Sequence, residues 1–322
     1  MPRPTPSPKN RPTASSPRSG APSNAPELVD PKWIVKGLGL ILLAALVCGY
    51  LSLCLLFYIG QWQIVLHPKR TSDHPTTLSG TPIQFLSFAP DESAVPQLTA
   101  WSIPAAAGGR YANTTLLYLP AGEGSLADAI PTLTSLHDLG INIFAIDYRG
   151  YGQSPNTTHP SQKVLTEDAE SAWQYLHSTR GLSEKQIVPY GSGVGASLAA
   201  HLAENYPQTA AVILDSPHGD LLETVLRDDR TKLLPARLLF HERFPLTAPL
   251  STLHIPKLLI SGAALPPAFK SAADPRITVG LNATPGGLSA QPGFASSITR
   301  FLDQYLPPAP PAQLILTPAP QR

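Results

Sequence analysis

A glycine-rich turn near the middle of the chain has the spacing of a turn that carries a catalytic nucleophile. Residues 188–197 read Val-Pro-Tyr-Gly-Ser-Gly-Val-Gly-Ala-Ser, so Gly191, Gly193 and Gly195 form the pattern G-x-G-x-G. Where such a turn reads G-x-S-x-G between a strand and a helix, its middle serine stands exposed and attacks acyl carbons. Because Gly193 holds that middle position, the turn has the frame for acyl transfer without the reactive hydroxyl.

Acyl transfer also needs a histidine base and an acid that orients it, and both follow the nucleophile along the chain. Ser192, Asp215 and His218 offer a relocated set near the turn, because Asp215 and His218 follow the next predicted strand. Successive side chains leave a strand in different directions, so Ser192 should not point where a side chain at position 193 would. A working site would need hydrogen-bond reach among all three groups, which spacing alone does not guarantee.

The elements that hold this turn alternate between strands and helices. Helices are predicted at Gln162–Ser178, with Ser161 as N-cap, at Val194–Glu204 and at Phe294–Leu306, each from its apolar spacing or its position after a strand. This alternation favours an α/β fold with a mostly parallel central sheet flanked by helices. The predicted strands are Thr81–Ala89, Gln97–Ile103, Thr114–Leu119, Ile141–Ile146, Gln186–Tyr190, Ala210–Leu214, Lys257–Ser261 and Ile277–Val279.

Residues 147–154 read Asp-Tyr-Arg-Gly-Tyr-Gly-Gln-Ser and resemble the fourth-strand signature D-Y-R-G-x-G-x-S of the α/β-hydrolase superfamily. Within the superfamily, the chain most resembles single-span, membrane-anchored hydrolases related to monoacylglycerol lipases and serine-aminopeptidase-like proteins. Their anchor is also followed by a Gln, apolar, His-Pro segment, like residues 63–68 here. The resemblance covers residues 40–306 and implies the α/β-hydrolase fold with a small cap, preceded by one transmembrane helix.

The resemblance also implies where the catalytic groups should stand, and this chain departs from each position. The nucleophile position is Gly193, the acid position after the strand at 257–261 is Leu265, and no histidine follows His254. The loop that should donate to the oxyanion reads Pro120-Ala121-Gly122, and proline has no N–H. These absences predict a pseudoenzyme that binds a lipid or acyl ligand, or a protein partner. The alternative is an active serine hydrolase of esters or acylglycerols that uses the relocated set.

Two further expectations concern the loops that follow the strands. The interval from Gly262 to Ile277 is short, which predicts that the helix between the last two strands is trimmed. Asp147 and Arg149 are interpreted as a structural pair that shapes the turn after the fourth strand.

An apolar run of 24 residues, 37–60, contains no charged residue and predicts one transmembrane helix. At 1.5 Å per residue it would extend about 36 Å, enough for a hydrocarbon core of about 30 Å. Its late start and length favour an uncleaved signal anchor over a signal peptide. By the positive-inside rule, the cations before the run predict a cytoplasmic N-terminus and an extracytoplasmic domain. These cations are Arg3, Lys9, Arg11, Arg18, Lys32 and Lys36.

Composition excludes several other classes of function. The formal net charge of +1 on 322 residues gives no basis for a nucleic-acid partner. Cys48 and Cys54, the two cysteines, both lie in the apolar run, so neither a disulfide framework nor a cysteine metal site is expected, and no cofactor is predicted. Proline-rich composition marks the ends as loose tails. The predicted organisation is a tail at 1–36, a membrane helix at 37–60, a hydrolase-like domain at 75–306 and a tail at 307–322.

Overall fold

The computed structural model describes residues 31–89, 95–155, 158–262, 264–282 and 287–306. The C-terminal tail predicted from residue 307 and the first 30 residues of the N-terminal tail lie outside the described residues. Contacts between residues divide the chain into two units, Met1–Ser52 and Leu53–Arg322.

Helix α1, Pro31–Gly60, contains the predicted apolar run. The helix begins six residues before that run, at Pro31, because the fixed backbone angle of proline suits the first position of a helix. In the part of the chain that the structure describes, α1 alone is long and apolar enough to cross a membrane. This property is compatible with membrane association.

An eight-stranded sheet forms the centre of the second unit, in the order β8-β7-β6-β5-β3-β4-β2-β1. Only β2 runs antiparallel to its neighbours β1 and β4 in this sheet. The predicted α/β fold with a mostly parallel sheet is therefore confirmed. The strands are β1 Gln84–Phe88, β2 Leu98–Ile103, β3 Tyr111–Leu119, β4 Ile141–Asp147, β5 Ile187–Ser192, β6 Val212–Asp215, β7 Lys257–Ser261 and β8 Arg276–Gly280.

Helices cover both faces of the sheet, and each face buries its own apolar cluster. Helices α3 and α10 pack on one face, whereas α4 and α5 pack on the other. Helix α9 has five residues, so the element between β7 and β8 is short, as its interval predicts. The helices after α1 are α2 Trp62–Val65, α3 Ile130–His137, α4 Gln162–Gln174, α5 Gly195–Asn205, α6 Leu221–Arg227, α7 Ala236–Leu239, α8 Thr247–Thr252, α9 Pro267–Ser271 and α10 Pro292–Tyr305.

Local signals in the sequence place the ends of several elements. The Ser161 hydroxyl accepts the backbone N–H of Val164, which confirms the predicted N-cap of α4. Strand β3 begins at Tyr111 rather than Thr114, because a register shift against β4 lets residues before the predicted start join the sheet. Strand β5 continues two residues past its predicted end, to Ser192.

The expected pairing of Asp147 with Arg149 is wrong. The Asp147 carboxylate accepts the backbone N–H groups of Leu126 and Gln153 at 3.1 and 3.2 Å. Arg149 instead pairs with the fully buried Asp168 of α4. Both residues still shape the turn after β4, but each binds a different element, because the packing of α4 on the sheet brings Asp168 to Arg149.

Candidate functional site

The glycine-rich turn joins β5 to α5 and keeps the backbone shape of a nucleophile turn. Gly193 has a φ of +54°, in the left-handed region that glycine adopts at little steric cost. Its N–H donates to the Asp215 carbonyl at 3.1 Å, and its carbonyl accepts the N–H of His218 at 2.9 Å. The segment after β6 therefore holds the turn from one side.

The outer glycines of the pattern are required by close packing between the strand and the helix. A β-carbon at Gly191 would lie 2.1 Å from the Gly195 carbonyl oxygen. A β-carbon at Gly195 would lie 2.2 Å from the Leu119 carbonyl oxygen. Both distances are far below van der Waals contact, so these two glycines serve the fold of the turn.

The middle glycine is enclosed by the loop that follows β3. A β-carbon on Gly193 would lie 2.6 Å from the Ala121 β-carbon and 2.9 Å from its α-carbon. A serine at this position would therefore require residues 120–122 to move. The space into which a nucleophile would project is occupied by the chain itself.

The same loop accepts a hydrogen bond from the backbone N–H that would otherwise stabilise an oxyanion. In serine hydrolases of this geometry, the N–H of the residue after the nucleophile binds the developing negative charge. Here the N–H of Val194 donates to the Ala121 carbonyl at 3.4 Å. Sequence reasoning identified the missing N–H of Pro120, but the direction of the Ala121 carbonyl depends on the tertiary fold and has no local signal.

Side chains from the segment after β4 fix this loop in place. The Tyr148 hydroxyl donates to the Pro120 carbonyl at 3.1 Å, and the Tyr151 hydroxyl donates to the Gly122 carbonyl at 3.0 Å. The N–H of His67 also donates to the Gly122 carbonyl, at 2.9 Å. Because both tyrosines are buried, they hold residues 120–122 against Gly193 and the Val194 N–H, an arrangement that we call the closed turn.

The structure brings the backbones of Ser192, Asp215 and His218 together at the turn. Ser192 and Asp215 are register partners on β5 and β6, and His218 binds the turn through its N–H. The His218 side chain is exposed, whereas Asp215 is buried. Among the described residues, no hydrogen bond joins the side chains of these three residues.

Tyr190 and Ser216 take the Asp215 hydrogen bonds that a relocated site would need. The Asp215 carboxylate accepts the Tyr190 hydroxyl at 2.7 Å and the Ser216 hydroxyl at 2.9 Å. The Tyr118 and Tyr190 rings stack with centroids 5.3 Å apart. The Asp215 carboxylate is therefore hydrogen-bonded to groups other than Ser192 and His218.

Burial sets the ionisation of this cluster. Loss of solvent raises the pKa of Asp215 above its usual value, and the two hydroxyl donors partly oppose this rise. Burial also raises the pKa values of Tyr118 and Tyr190, so both phenols remain protonated and able to donate. Burial therefore favours the protonated forms of all three groups.

Position 265, where the resemblance places the acid, lies in the loop between β7 and α9. Leu265 is 42% exposed there and supplies no titratable group. His254, the last histidine of the chain, precedes β7, and its ring nitrogen lies 3.3 Å from the Asp274 carbonyl oxygen. Among the described residues, no group of three or more histidine, cysteine, aspartate or glutamate side chains could hold a metal ion.

A cavity of about 330 Å³ lies beside the turn. Val194 and His218 line it from the turn, and helix α6 adds Leu221 and Val225. The remaining lining residues include Ile64, Val65, His67, Glu123, Pro217, Gly219 and Thr224. Its walls are therefore largely apolar with a few polar groups. The sequence patterns did not identify this cavity, because its lining comes from short helices and loops without clear periodicity.

A family model matches the segment that contains the turn, and curated relatives match part of the chain. A family model described as Serine aminopeptidase, S33 matches residues 128–264, so the match ends just before Leu265. An uncharacterized protein of Mycobacterium tuberculosis is 30% identical over 168 residues, which cover 52% of this chain and 57% of that protein. Human alpha/beta hydrolase domain-containing protein 17C is 36% identical over 124 residues, covering 38% of this chain and 35% of that protein. The chain thus spans little more than half of the first relative and about a third of the second.

Similar solved structures extend over most of the described domain. An esterase from Pyrococcus furiosus aligns with a TM-score of 0.58 and 17% identity, covering 76% of this chain and 98% of that chain. A Xanthomonas campestris protein, described as a serine hydrolase without a lid, aligns with a TM-score of 0.50 and 15% identity. That alignment covers 74% of this chain and 100% of the other. At these identities, the likeness establishes a shared fold.

Proposed function

We propose that this chain, which belongs to the α/β-hydrolase superfamily, is a membrane-anchored member that binds a ligand and does not hydrolyse esters. The observation that carries the proposal is the closed turn at Gly193. The Ala121 carbonyl accepts the Val194 N–H, and the Ala121 β-carbon lies 2.6 Å from the position of a β-carbon on Gly193. Nucleophile and oxyanion donor are thus lost at the same point.

The rate acceleration that the missing catalytic groups usually contribute supports this proposal. Removing one oxyanion donor typically lowers kcat by about 10²–10³-fold. Removing a serine, histidine and acid triad leaves only about 10³–10⁴-fold acceleration over water, which comes largely from the oxyanion donors and substrate binding. Here Gly193 and Leu265 stand at the nucleophile and acid positions, and the Val194 donor is occupied. The remaining acceleration should therefore not exceed about 10²-fold over water, far below that of a working enzyme.

A role in binding is supported by the cavity beside the turn. Its volume of about 330 Å³ falls at the lower end of the range for small-molecule sites, about 300–1,000 Å³. Ile64, Val65 and Leu221 contribute apolar wall, and His67 and His218 contribute polar groups. This combination suits a lipid or acyl molecule with one polar end.

The composition of the N-terminal segment supports the proposed anchoring and orientation. Helix α1 is long and apolar enough to span a bilayer, which suits an uncleaved signal anchor. Lysines and arginines outnumber acidic residues before the span, whereas Lys69 and Arg70 are the nearest cations after it. The positive-inside rule then gives a cytoplasmic N-terminus and a C-terminal domain on the opposite side of the membrane.

Labelling with a fluorophosphonate tests the absence of a nucleophile. The purified full chain should remain unlabelled, as should its Ser192→Ala variant. Labelling of the wild type that disappears in Ser192→Ala would overturn the proposal. It would instead support an active hydrolase built on Ser192, Asp215 and His218.

A fluorescent fatty acid tests the binding role of the cavity. Thr224 is exposed and lines the cavity, so Thr224→Trp should fill it and lower the affinity for this probe. Thr252→Trp is the matched control, because Thr252 is exposed on α8 and does not line the cavity. Equal affinity in wild type and both variants would refute binding at this site.

A further inference from the structure

Two leucines after helix α6 face solvent almost completely. Leu233 is 80% exposed and Leu238 is 82% exposed. In the described part of the chain, no other large apolar side chain outside α1 is as exposed. Exposing such side chains to water yields no hydrophobic stabilisation of the fold. We call residues 228–241, which contain both leucines, the cap segment.

Cations accompany these leucines. Arg227 and Arg237 have no acidic partner among the described ion pairs. Arg230 pairs with Asp228, and Lys232 pairs with Asp229. Between residues 227 and 243 the sequence contains five lysines and arginines but only three acidic residues. One of these acidic residues, Glu242, is buried. The surface is therefore both apolar and positively charged.

Gln61 ties the cap segment to the end of α1. Its side-chain nitrogen donates to the carbonyls of Tyr58 and Leu239 at 2.9 and 3.1 Å. Its side-chain oxygen accepts the N–H of His241 at 2.7 Å. Because Gln61 is only 1% exposed, these bonds are sheltered from competing water.

Aromatic contacts place the cap segment beside the last turn of α1. The rings of Phe57 and Phe240 have centroids 6.5 Å apart, and those of Tyr58 and His241 are 4.9 Å apart. Phe57 lies three residues before Gly60, the last residue of α1. At 1.5 Å per residue, this separation is about 4.5 Å along the helix axis.

The axial distance of about 4.5 Å between Phe57 and Gly60 is comparable with the thickness of the headgroup layer. A bilayer of about 40–45 Å with a core of about 30 Å leaves about 5–7 Å of headgroup region on each side. A segment packed against Phe57 therefore lies within or next to this layer when α1 spans the membrane.

We propose that the cap segment docks on the bilayer that α1 spans, with Leu233 and Leu238 inserted among the lipid headgroups. Arg227 and Arg237 interact with anionic headgroups, since basic side chains beside a membrane are drawn to negative lipids. The proposal rests on the membrane anchoring in the proposed function. The cap segment thus binds a membrane surface that contains anionic lipid.

Site-specific fluorescence tests the docking. The full chain with Cys48→Ser and Cys54→Ser is reconstituted into vesicles of phosphatidylcholine and phosphatidylglycerol in equal parts. A polarity-sensitive dye is attached at Leu233→Cys, Leu238→Cys or, as a control, Lys185→Cys. Lys185 is exposed and precedes β5, at the end of the strand opposite the turn. The dye at 233 and 238 should shift to the blue and be quenched by brominated lipid, whereas the dye at 185 should show neither effect.

Flotation of the vesicles separates the possible failures. Protein that floats with the vesicles while the dyes at 233 and 238 remain unquenched would overturn the docking and leave the anchoring intact. Protein that does not float would overturn the anchoring and the docking together. Replacing Arg227 and Arg237 by glutamate should reduce quenching at Leu238→Cys in these vesicles. Unchanged quenching would refute the role of the two arginines.

Discussion

Placing a serine at position 193 should destabilise the protein without producing ester turnover. A side chain at a φ of +54° costs about 1–2 kcal/mol relative to glycine. Its β-carbon would also lie 2.6 Å from that of Ala121, and overpacking of this kind typically costs about 1–3 kcal/mol. Gly193→Ser should therefore lower the free energy of unfolding by about 2–5 kcal/mol, a large part of a typical 5–15 kcal/mol.

A small mutant series separates the two costs. Gly193→Ala should lose nearly as much stability as Gly193→Ser, because both variants add the same β-carbon. Ala121→Gly should recover part of the overpacking in the double variant, since it removes the contact with the Ala121 β-carbon but not the 2.9 Å contact with the α-carbon, and a double-mutant cycle measures this coupling. Thermal unfolding of the full chain in detergent, followed by circular dichroism, gives the stabilities. Unchanged unfolding in Gly193→Ser, or ester turnover by that variant, would refute the closed turn.

Three further predictions concern the rest of the domain. Arg149→Ala leaves the buried Asp168 carboxyl without its partner, so thermal unfolding should report a loss of about 3–5 kcal/mol; an unchanged midpoint would contradict the pairing. Burial lowers the pKa of Lys257 from 10.5 to about 8, so the unfolded state binds more protons between these values. The free energy of unfolding that depends on Lys257 should therefore rise with pH between these two values. Denaturation measured from pH 8 to 10 should show a smaller rise in Lys257→Met than in wild type. Equal rises in the two proteins would contradict the lowered pKa of Lys257. Gln61→Ala leaves the N–H of His241 without its acceptor, so proteolysis within residues 236–241 should quicken, and an unchanged cleavage rate would show that Gln61 does not hold the segment.

Most of the sheet could be predicted, because each strand is a short β-rich run bounded by turn residues or helices. The bounds of β7 agree with the prediction, and Ser161 caps α4 as its position before the helix implies. The run at 147–154 indicated the fold, since these residues form the turn after β4 that closes on Asp147. Strand bounds, helix caps and tight turns depend on neighbouring residues in the chain, so they can be predicted from a single sequence.

The closure of the candidate site could be predicted only in part. The sequence identifies Gly193 at the middle of the turn, but the contact with Ala121 joins residues about 70 positions apart in the chain. The pairing of Arg149 with Asp168 likewise depends on how α4 packs on the sheet. The short helices around Leu233 show no clear periodicity, so their exposed apolar surface emerges only from the fold.

Ester hydrolysis by the purified full chain tests the proposed absence of catalysis most directly. With p-nitrophenyl esters of short and long acyl chains, wild type and Ser192→Ala should both match the buffer rate, because the nucleophile position is Gly193 and the Val194 donor is occupied. A wild-type rate clearly above buffer that falls to the buffer rate in Ser192→Ala would contradict the account.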